Sequence, residues 1–315
     1  MLAFLLRRLV SLGLALLFGS VAIFLLVRLV PGDPARLMLK NATPEKIAEI
    51  RHRLALDRPL PIQYVIFIAR VVGHGSFGES VVSGRSVKED LVRTWPATVE
   101  LAVAALLIAT LIGVWLGIFS AKHAGRWQDV LGTTIGLVGL SVPVFWLGLL
   151  AILLFSLELG WFPAGDRASV AGPGGLLDQL HHLVLPAIVL AMIPGSFIMR
   201  VTRATVLDTL GQDFIRTARA KGAPERAVFY RHALRAALVP VVTMMGVEFA
   251  YLLGGAVLTE TVFAWPGIGR YIATAVLTRD YPAIQGALLV LVTMVMLVNF
   301  MVDVAHKILD PKLQK

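Results

Sequence analysis

The stretch DFIRTARAKGAPERAVFYRHALRAALVP, residues 213–240, is a long basic run in a chain that is otherwise dominated by apolar segments. Seven Lys and Arg residues fall between Arg203 and Arg235. Residues 213–221 predict a short helix, which Gly222 can end in the left-handed conformation. Pro224 suits the first turn of a second helix, where its missing N–H costs nothing. Two short helices at an angle indicate a docking surface, and a basic loop lying on anionic lipid head groups is the alternative.

Composition indicates an integral membrane protein. Hydrophobic residues make up 57% of the 315 residues and charged residues only 16%, whereas soluble domains carry about 25% charged residues. The sequence has no cysteine, which excludes disulfides, thiolate metal ligands and thiol nucleophiles. Nucleic acid is a poor explanation for the net charge of +9, because the basic residues flank apolar segments.

Six apolar segments are long enough to cross the roughly 30 Å hydrocarbon core of a bilayer. They cover residues 9–30, 97–121, 130–157, 183–201, 236–258 and 283–302. We expect the first to be a retained span rather than a cleaved signal peptide, since it is too long and lacks a small-residue cleavage site. The sequence therefore predicts an all-α membrane protein with six transmembrane helices.

Prolines and glycines within the spans predict tight helix packing. Pro143 lies in the third span, and Pro186 and Pro194 lie in the fourth. Such prolines are tolerated where neighbouring helices satisfy the freed backbone groups. The small-residue stripes, which let helices approach closely, are Gly113 and Gly117 in the second span and Gly132, Gly136 and Gly139 in the third.

Residues 31–96 are mixed and charged, and they predict a small extramembrane layer. Helical spacing covers residues 44–56, with Thr43 as a candidate N-cap, and residues 64–72. Turns are expected at Gly73, Gly75, Gly78 and Gly84. We therefore divide the chain into residues 1–95, the first span with its extracytoplasmic segment, and residues 96–315, a five-helix core with a coupling segment at about 203–235.

Charge asymmetry predicts the orientation, because short cytoplasmic loops are enriched in Lys and Arg. With a cytoplasmic N-terminus, the inner segments hold about 14 Lys and Arg residues. The short outer loops hold three, namely Arg167, Arg270 and Arg279. Both termini and the 213–235 stretch are therefore expected in the cytoplasm.

The sequence offers no enzyme site. It contains no GxxxxGK[ST], HExxH or GxSxG pattern, so no P-loop for ATP is present. The pair His181-His182 at an outer helix start fits interfacial capping better than a metal site, so no metal site is predicted.

Intramembrane ionisable groups are candidates for function. Glu248 lies near the middle of the fifth span and is assigned to the translocation path with Met244 and Met245. A hydrogen bond from Glu248 to a neighbouring helix is the alternative. Glu100 lies one turn into the second span, near enough to the outer interface to reach water.

The outer loop ETVFAWPGIGRY, residues 260–271, carries aromatic residues around a tight turn. Phe263, Trp265 and Tyr271 fit an interfacial aromatic belt. Pro266 and Gly267 force a turn that a belt does not need. A shaped contact loop is the second interpretation of this segment.

Over nearly its whole length the sequence resembles the B-type permease subunit of the dipeptide/oligopeptide/nickel branch of binding-protein-dependent ABC importers. The blocks that carry this resemblance are LLRRL at 5–9, RLVPGDP at 28–34, PATVEL at 96–101, SVPVFWLG at 141–148, RTARAKG at 216–222, RHALRAALVPVVT at 231–243, FAWPGIGR at 263–270, RDYPAIQ at 279–285 and LDPKL at 309–313.

The general importer motif reads EAA, three residues, Gly, and a later I-x-LP. Gly222 matches its glycine and Ala218 its second alanine. Arg216 stands where the glutamate is expected, and Thr217 replaces the first alanine. Asp213, about one turn earlier, is the candidate for the carboxylate contact.

The resemblance implies a type I importer permease of the cytoplasmic membrane that is not an enzyme by itself. Its implied partners are a homologous C-type permease, two ABC ATPase subunits, an extracytoplasmic substrate-binding protein and membrane lipid. The chain would bind no cofactor, and ATP and Mg would be bound by the ATPase subunits. The residues implied to dock the ATPase are Asp213, Arg216, Thr217, Ala218, Lys221, Gly222, Ala223, Pro224 and Arg226, and those facing the binding protein are Phe263, Trp265, Pro266 and Gly267.

Peptides are the implied substrates, and nickel chelates, glutathione and oligosaccharides are alternatives within the same machinery. A secondary transporter is the rival from another class. It would need inverted repeats and discontinuous midplane helices, and the sequence contains no such repeat.

Overall fold

The computed structural model describes residues 2–29, 35, 43–169 and 175–309. Within these ranges the regular structure is helical, apart from one isolated antiparallel bridge between Glu79 and Ser86. The helices, in chain order, are α1 Leu2–Arg28, α2 Pro44–Arg53, α3 Leu60–His74, α4 Val87–Lys122, α5 Trp127–Ser141, α6 Val144–Glu158, α7 Leu176–Leu210, α8 Asp213–Ala220, α9 Glu225–Gly255, α10 Val257–Val262, α11 Ile268–Thr278 and α12 Tyr281–Leu309. Both α6 and α9 contain a π-helical stretch, Ile152–Glu158 and Val228–Ala233 respectively.

The predicted all-α class is confirmed, and the described residues include five helices long and apolar enough to cross a membrane. These are α1, α4, α7, α9 and α12. The helices α5 and α6 pass the same test only as a pair, which is bent by 100°. The described residues therefore contain five continuous candidate spans, or six when the bent pair counts as one.

The third predicted span, residues 130–157, is wrong as a single helix. Helix α5 ends at Ser141, Val142 is extended (φ −86°, ψ 126°), and Pro143 precedes α6. Proline lacks the N–H that would continue the ladder, and its ring pushes the preceding residue out of the helical region. Pro143 therefore separates two helices instead of lying within one.

The prolines of α7 behave differently. Pro186 and Pro194 lie inside one continuous helix of 35 residues, and both are buried. In its most apolar window α7 is 67% buried, against 22–33% for the other long helices. Neighbouring helices therefore surround α7 and can compensate for the freed carbonyl groups.

One compact unit contains Val99–Trp265 and the last part of α12, and its helices pack through glycine. A Cβ atom added at Gly113 of α4 would lie 2.6 Å from the carbonyl oxygen of Gly195 in α7, and one at Gly117 would lie 2.6 Å from Cβ of Thr202. On α5, Gly139 lies against Ser196 of α7 in the same way. The predicted packing role of these glycine stripes is confirmed.

The other compact unit contains Leu2–Thr98 and Pro266–Leu297. Its core joins the start of α4 to α11 and α12 through Val87, Ile268, Ile272 and Ala287. A smaller cluster packs Ile50 of α2 against Val27 and Tyr281. The predicted boundary at residues 95/96 stays a prediction.

The helices predicted at 44–56 and 64–72 are confirmed as α2 and α3. Thr43 occupies the N-cap position of α2 without a side-chain capping bond. Gly75, Gly78 and Gly84 have positive φ and form turns, as predicted. Gly73 lies inside α3, so its prediction as a turn is wrong; the helix continues until Gly75 supplies the left-handed residue that ends it.

Candidate functional site

The basic stretch forms a helix, a turn and a second helix where its sequence predicts them, but the second helix is not short: it begins at Glu225 and continues to Gly255 as the fifth span. Helix α8 ends at Ala220, Gly222 adopts φ +79°, and Pro224 immediately precedes α9. The N–H of Gly222 donates to the carbonyl of Arg219 at 2.9 Å, and that of Ala223 donates to the carbonyl of Ala218 at 3.2 Å. This pattern satisfies carbonyl groups at the helix end and needs the left-handed residue that glycine supplies.

A small apolar core holds α8 against the start of α9. Ile215, Val228 and Ala233 are fully buried, and Leu210, Ala218 and Ala223 pack around them. Because every one of these side chains comes from residues 210–233, the segment has an internal core. This core packs α8 against the first turns of α9.

Polar and aromatic side chains on the other side of this segment are exposed. They include Asp213, Phe214, Arg216, Thr217, Lys221, Arg226 and Tyr230. Asp213 and Arg216 approach at 3.4 Å, but their side chains are 94% and 75% exposed, so the pair adds little stability. Arg219 bonds both carboxylate oxygens of Glu225, at 2.8 and 3.3 Å, and so bridges the turn at Gly222.

An ion pair that sequence analysis missed lies near the junction of α7 with this segment. Arg203 of α7 donates from Nε and Nη2 to the two carboxylate oxygens of Asp129 in α5, each at 2.7 Å. The N–H of Gly125 also donates to Asp129, at 3.1 Å. The Asp129 side chain is only 8% exposed. Arg203 was counted among the basic residues of the docking stretch, and its engagement with Asp129 removes it from that exposed set.

Glu248 lies on α9 and is 5% exposed. Within the described part of the chain, it has no hydrogen bond or ion pair, so the alternative, a hydrogen bond to a neighbouring helix, is not found there. Gly246, half a turn earlier, packs against Val302 of α12, where an added Cβ would lie 2.6 Å from the valine methyl groups. Met244 and Met245 are half-buried. The assignment of Glu248, Met244 and Met245 to the translocation path stays a prediction.

The aromatic residues of the outer loop are buried instead of forming a surface belt. Phe263 is 1% exposed and packs on Leu185 and Val189, and Trp265 is 0% exposed. Because belt aromatics lie at the protein surface, the belt interpretation is wrong for these two residues. The N–H of Trp265 donates to the carbonyl of Glu260 at 2.8 Å, which ties the loop to α10. A role of this loop toward a binding protein stays a prediction, and within it Pro266 is exposed.

Pro266 and Gly267 lead into a cleft of about 340 Å³ beside α11. The N–H of Ile268, at the start of α11, donates to Oγ1 of Thr98 at 2.8 Å. Inside the cleft the hydroxyl of Tyr271 donates to Asp90 at 3.4 Å, and Arg85 pairs with Asp90 at 3.1 Å. Burial and the neighbouring Asp90 carboxylate raise the pKa of Tyr271, so its phenol stays protonated and donates.

The remaining candidate polar residues are engaged in local contacts. Glu100 forms an ion pair with Arg167 and remains 27% exposed. Nε2 of His181 lies 2.7 Å from the carbonyl of Trp161, and Nδ1 of His182 lies 2.8 Å from that of Asp178. Both histidines thus bond backbone carbonyl groups, whereas a side chain that caps a helix start accepts from a backbone N–H, so their capping role stays a prediction.

Family models match almost the whole chain. Residues 1–102 match the N-terminal region of binding-protein-dependent transport system membrane components. Residues 113–315 match the binding-protein-dependent transport system inner membrane component.

Characterised relatives cover the full length of the chain. A di/tripeptide transport system permease, DppB of Pseudomonas aeruginosa, is 41% identical over 100% of this chain and 99% of its own length. A glutathione transport system permease, GsiC of Salmonella paratyphi A, is 40% identical with the same coverage. DppB of Escherichia coli K12, a dipeptide permease, is 38% identical, again over 100% of this chain and 99% of its own length.

Solved structures share the fold at low sequence identity. A methionine ABC transporter, MetNI, in an inward-facing conformation aligns with a TM-score of 0.56 and 18% identity, covering 70% of this chain and 96% of the other. An amino acid ABC transporter with histidines aligns with a TM-score of 0.55 and 15% identity, covering 70% and 94% respectively. The family matches and the full-length relatives establish that the chain belongs to the inner membrane components of binding-protein-dependent transport systems.

Proposed function

We propose that this chain is the permease subunit of an ATP-driven importer and forms part of the path for short peptides delivered by a binding protein. The relatives named for dipeptides, di/tripeptides and glutathione, itself a tripeptide, support this substrate class. The names of these relatives give no comparable support for nickel chelates or oligosaccharides as substrates. They also give none for transport without an ATPase.

The observation that carries the proposal is the exposed helix–turn–helix of α8 and the start of α9. The sequence contains no P-loop, so the energy of ATP must enter from another subunit that binds ATP and Mg. A segment with its own small core and an exposed polar and aromatic face is suited to dock in a groove of such a subunit. Docking to a cytoplasmic ATPase would put residues 213–235 and both termini in the cytoplasm, as the charge asymmetry also predicts.

Movement of the docked segment would reach the membrane through α7 and α9, which adjoin it in sequence. The ion pair between Asp129 and Arg203 connects α7 to the start of α5, so the bent pair α5–α6 would follow α7. Substrate would then pass at the interface with a homologous C-type permease, where Glu248, Met244 and Met245 are proposed to lie.

Contact with the binding protein is proposed at the cleft beside α11. Trp265, Phe263 and Gly267 are buried, so they would shape the loop, and Pro266 with the exposed residues of α11 would form the contact surface. In this proposal the binding protein does not contact the aromatic side chains of Phe263 and Trp265 directly, although the sequence analysis implied that it does.

The docking proposal is tested with Gly222→Val. A β-branched residue at φ +79° is strained by roughly 1–2 kcal/mol, while the space around Gly222 is open, so the strain comes from the backbone alone. We expect normal membrane insertion and pairing with the partner permease, and an approximately 5–30-fold weaker recovery of the ATPase subunits in co-purification.

Gly84→Val is the matched control, because Gly84 also has positive φ (+69°) and open surroundings but lies in a turn far along the chain from α8. It should recover the ATPase normally. If Gly222→Val also recovers it normally, while removal of the Arg226 and Arg231 charges releases the segment from anionic vesicles, the segment binds lipid and the docking proposal is wrong.

The orientation is tested by cysteine labelling, which is clean because the native chain has no cysteine. Ser169 and Gln212 are both exposed. An external, membrane-impermeant thiol reagent should label Ser169→Cys in intact cells and reach Gln212→Cys only after lysis. The reverse pattern would show that the proposed orientation is inverted.

The coupling role of the ion pair between Asp129 and Arg203 is tested by first removing one of its two charges. Asp129→Asn removes a charged partner from Arg203, which costs about 1–3 kcal/mol. We expect ATP hydrolysis to continue but the amount of peptide accumulated per ATP in proteoliposomes to fall several-fold.

The double variant Asp129→Arg with Arg203→Asp should restore much of this ratio. Arg200→Gln, at an exposed arginine one turn away on α7, is the control and should not change it. A wild-type ratio in Asp129→Asn would exclude the ion pair from coupling.

The cleft proposal is tested by filling it with Thr274→Trp, at an exposed position of α11 that lines the cleft. We expect stimulation of ATPase activity by the binding protein to fall about tenfold or more, with normal subunit assembly. Leu277→Trp, on the same helix and 84% exposed, should leave stimulation unchanged. Equal stimulation in both variants and the wild type would place the contact elsewhere.

A further inference from the structure

A small cavity lies within the unit formed by Leu2–Thr98 and Pro266–Leu297, and the proposed function does not use it. Its volume is about 50 Å³. A cavity needs a volume of about 10–15 Å³ to hold one buried water. This cavity therefore has room for a small ion with one or two waters. Apolar side chains form much of the wall, including Leu54, Ile66, Phe67 and Phe77.

The most polar group on the cavity wall is the guanidinium of Arg28, at the end of α1. It stacks 4.0 Å over the ring of Phe24, and its Nε donates to Oε1 of Gln63 at 2.7 Å. Gln63 in turn donates to the carbonyl of Arg58 at 2.7 Å, which fixes the orientation of its amide. No carboxylate in the described part of the chain lies within ion-pair distance of Arg28. Its charge is therefore partly desolvated without a counter-ion from these residues.

Two further polar groups on the cavity wall have no hydrogen-bond partner among the residues that the structure describes. They are the hydroxyl of Tyr281 and the side-chain Nε2 of Gln285, and both residues are only 6% exposed. The residues lie four apart on α12, which places them on one face of the helix. Buried polar atoms are rarely left unsatisfied, and where the protein offers no partner, a bound water or ion usually supplies it.

The hydrogen-bond donors and acceptors on the cavity wall decide whether a cation or an anion fits the cavity. The lining residues include Arg28, Arg70, Tyr281 and Gln285 and no Asp or Glu, and the guanidinium of Arg70 donates to the carbonyl of Arg53 at 3.5 Å. Such a wall repels a metal cation and favours a negative charge that accepts several hydrogen bonds. The small volume excludes large anions.

We propose that this cavity is a binding site for one small monovalent anion, of the size of chloride. The anion accepts from the Tyr281 hydroxyl and the Gln285 amide and balances the charge of Arg28. Because Arg28 belongs to α1 and Tyr281 and Gln285 to α12, the bound anion would hold the ends of these two helices together with α3.

The test uses the full chain with its partner permease in lipid nanodiscs. Chloride replaces gluconate, which is too large for the cavity, at constant ionic strength, and unfolding is followed by tryptophan fluorescence. A ligand that binds only the folded state raises the unfolding temperature with its concentration. We expect a rise of about 2–4 °C between chloride-free buffer and saturation.

The rise should disappear in Arg28→Gln and in Tyr281→Phe. Tyr64→Phe is the matched control, because the Tyr64 hydroxyl bonds Ser20 in the same unit and does not line the cavity. That variant should lower the unfolding temperature but keep the response to chloride. Gln285→Leu gives a second measurement if Arg28→Gln fails to fold, and its response should also be lost.

A wild-type unfolding temperature independent of chloride would overturn the proposal, as would an equal response in all variants. If the unfolding temperature of the wild type does not depend on chloride, water alone fills the cavity. A Tyr281→Phe variant more stable than the wild type in both buffers would also exclude a ligand on the hydroxyl, since removing an unsatisfied polar group is then favourable.

Discussion

The close approach of α4 and α5 to α7 is the constraint on which the central unit depends. In lipid there is little hydrophobic drive to bring helices together, so association relies on van der Waals contact and backbone proximity. Gly113 and Gly117 allow α4 to touch the backbone of α7, and Gly139 does the same for α5. Two buried prolines remain within α7 because its neighbours surround it. This rigid, enclosed helix leads directly to the exposed segment at α8, so a force applied there acts on the best-packed element of the unit.

Local sequence signals predicted this arrangement well where a single residue decides the backbone. Gly222 and Pro224 specify the end of α8 and the start of α9, and the glycine stripes specify close packing, because each acts through its own steric properties. The apolar runs likewise specify the long helices. The exposed helix–turn–helix needed no information from distant parts of the chain, since its core lies within residues 210–233.

Sequence analysis failed where the outcome depends on distant partners. Pro143 interrupts a helix, whereas the buried Pro186 in α7 and the exposed Pro240 in α9 do not, and a local pattern does not encode this difference. Asp129 and Arg203 are 74 residues apart, and only their positions near the ends of two apolar segments could have indicated a pair. Trp265 was assigned to a surface because tryptophan is common at membrane interfaces, yet tertiary packing buries it completely.

The bend between α5 and α6 has a consequence for synthesis of the protein. Each of these helices has 15 residues and a length of about 22 Å at 1.5 Å per residue, which is short of the roughly 30 Å hydrocarbon core. Neither helix can therefore be released stably into lipid as an independent span by the translocation channel. We therefore expect the pair to enter the bilayer together with α7, which supplies the surface against which Gly132, Gly136 and Gly139 pack, so the order of insertion would follow the synthesis of the next helix.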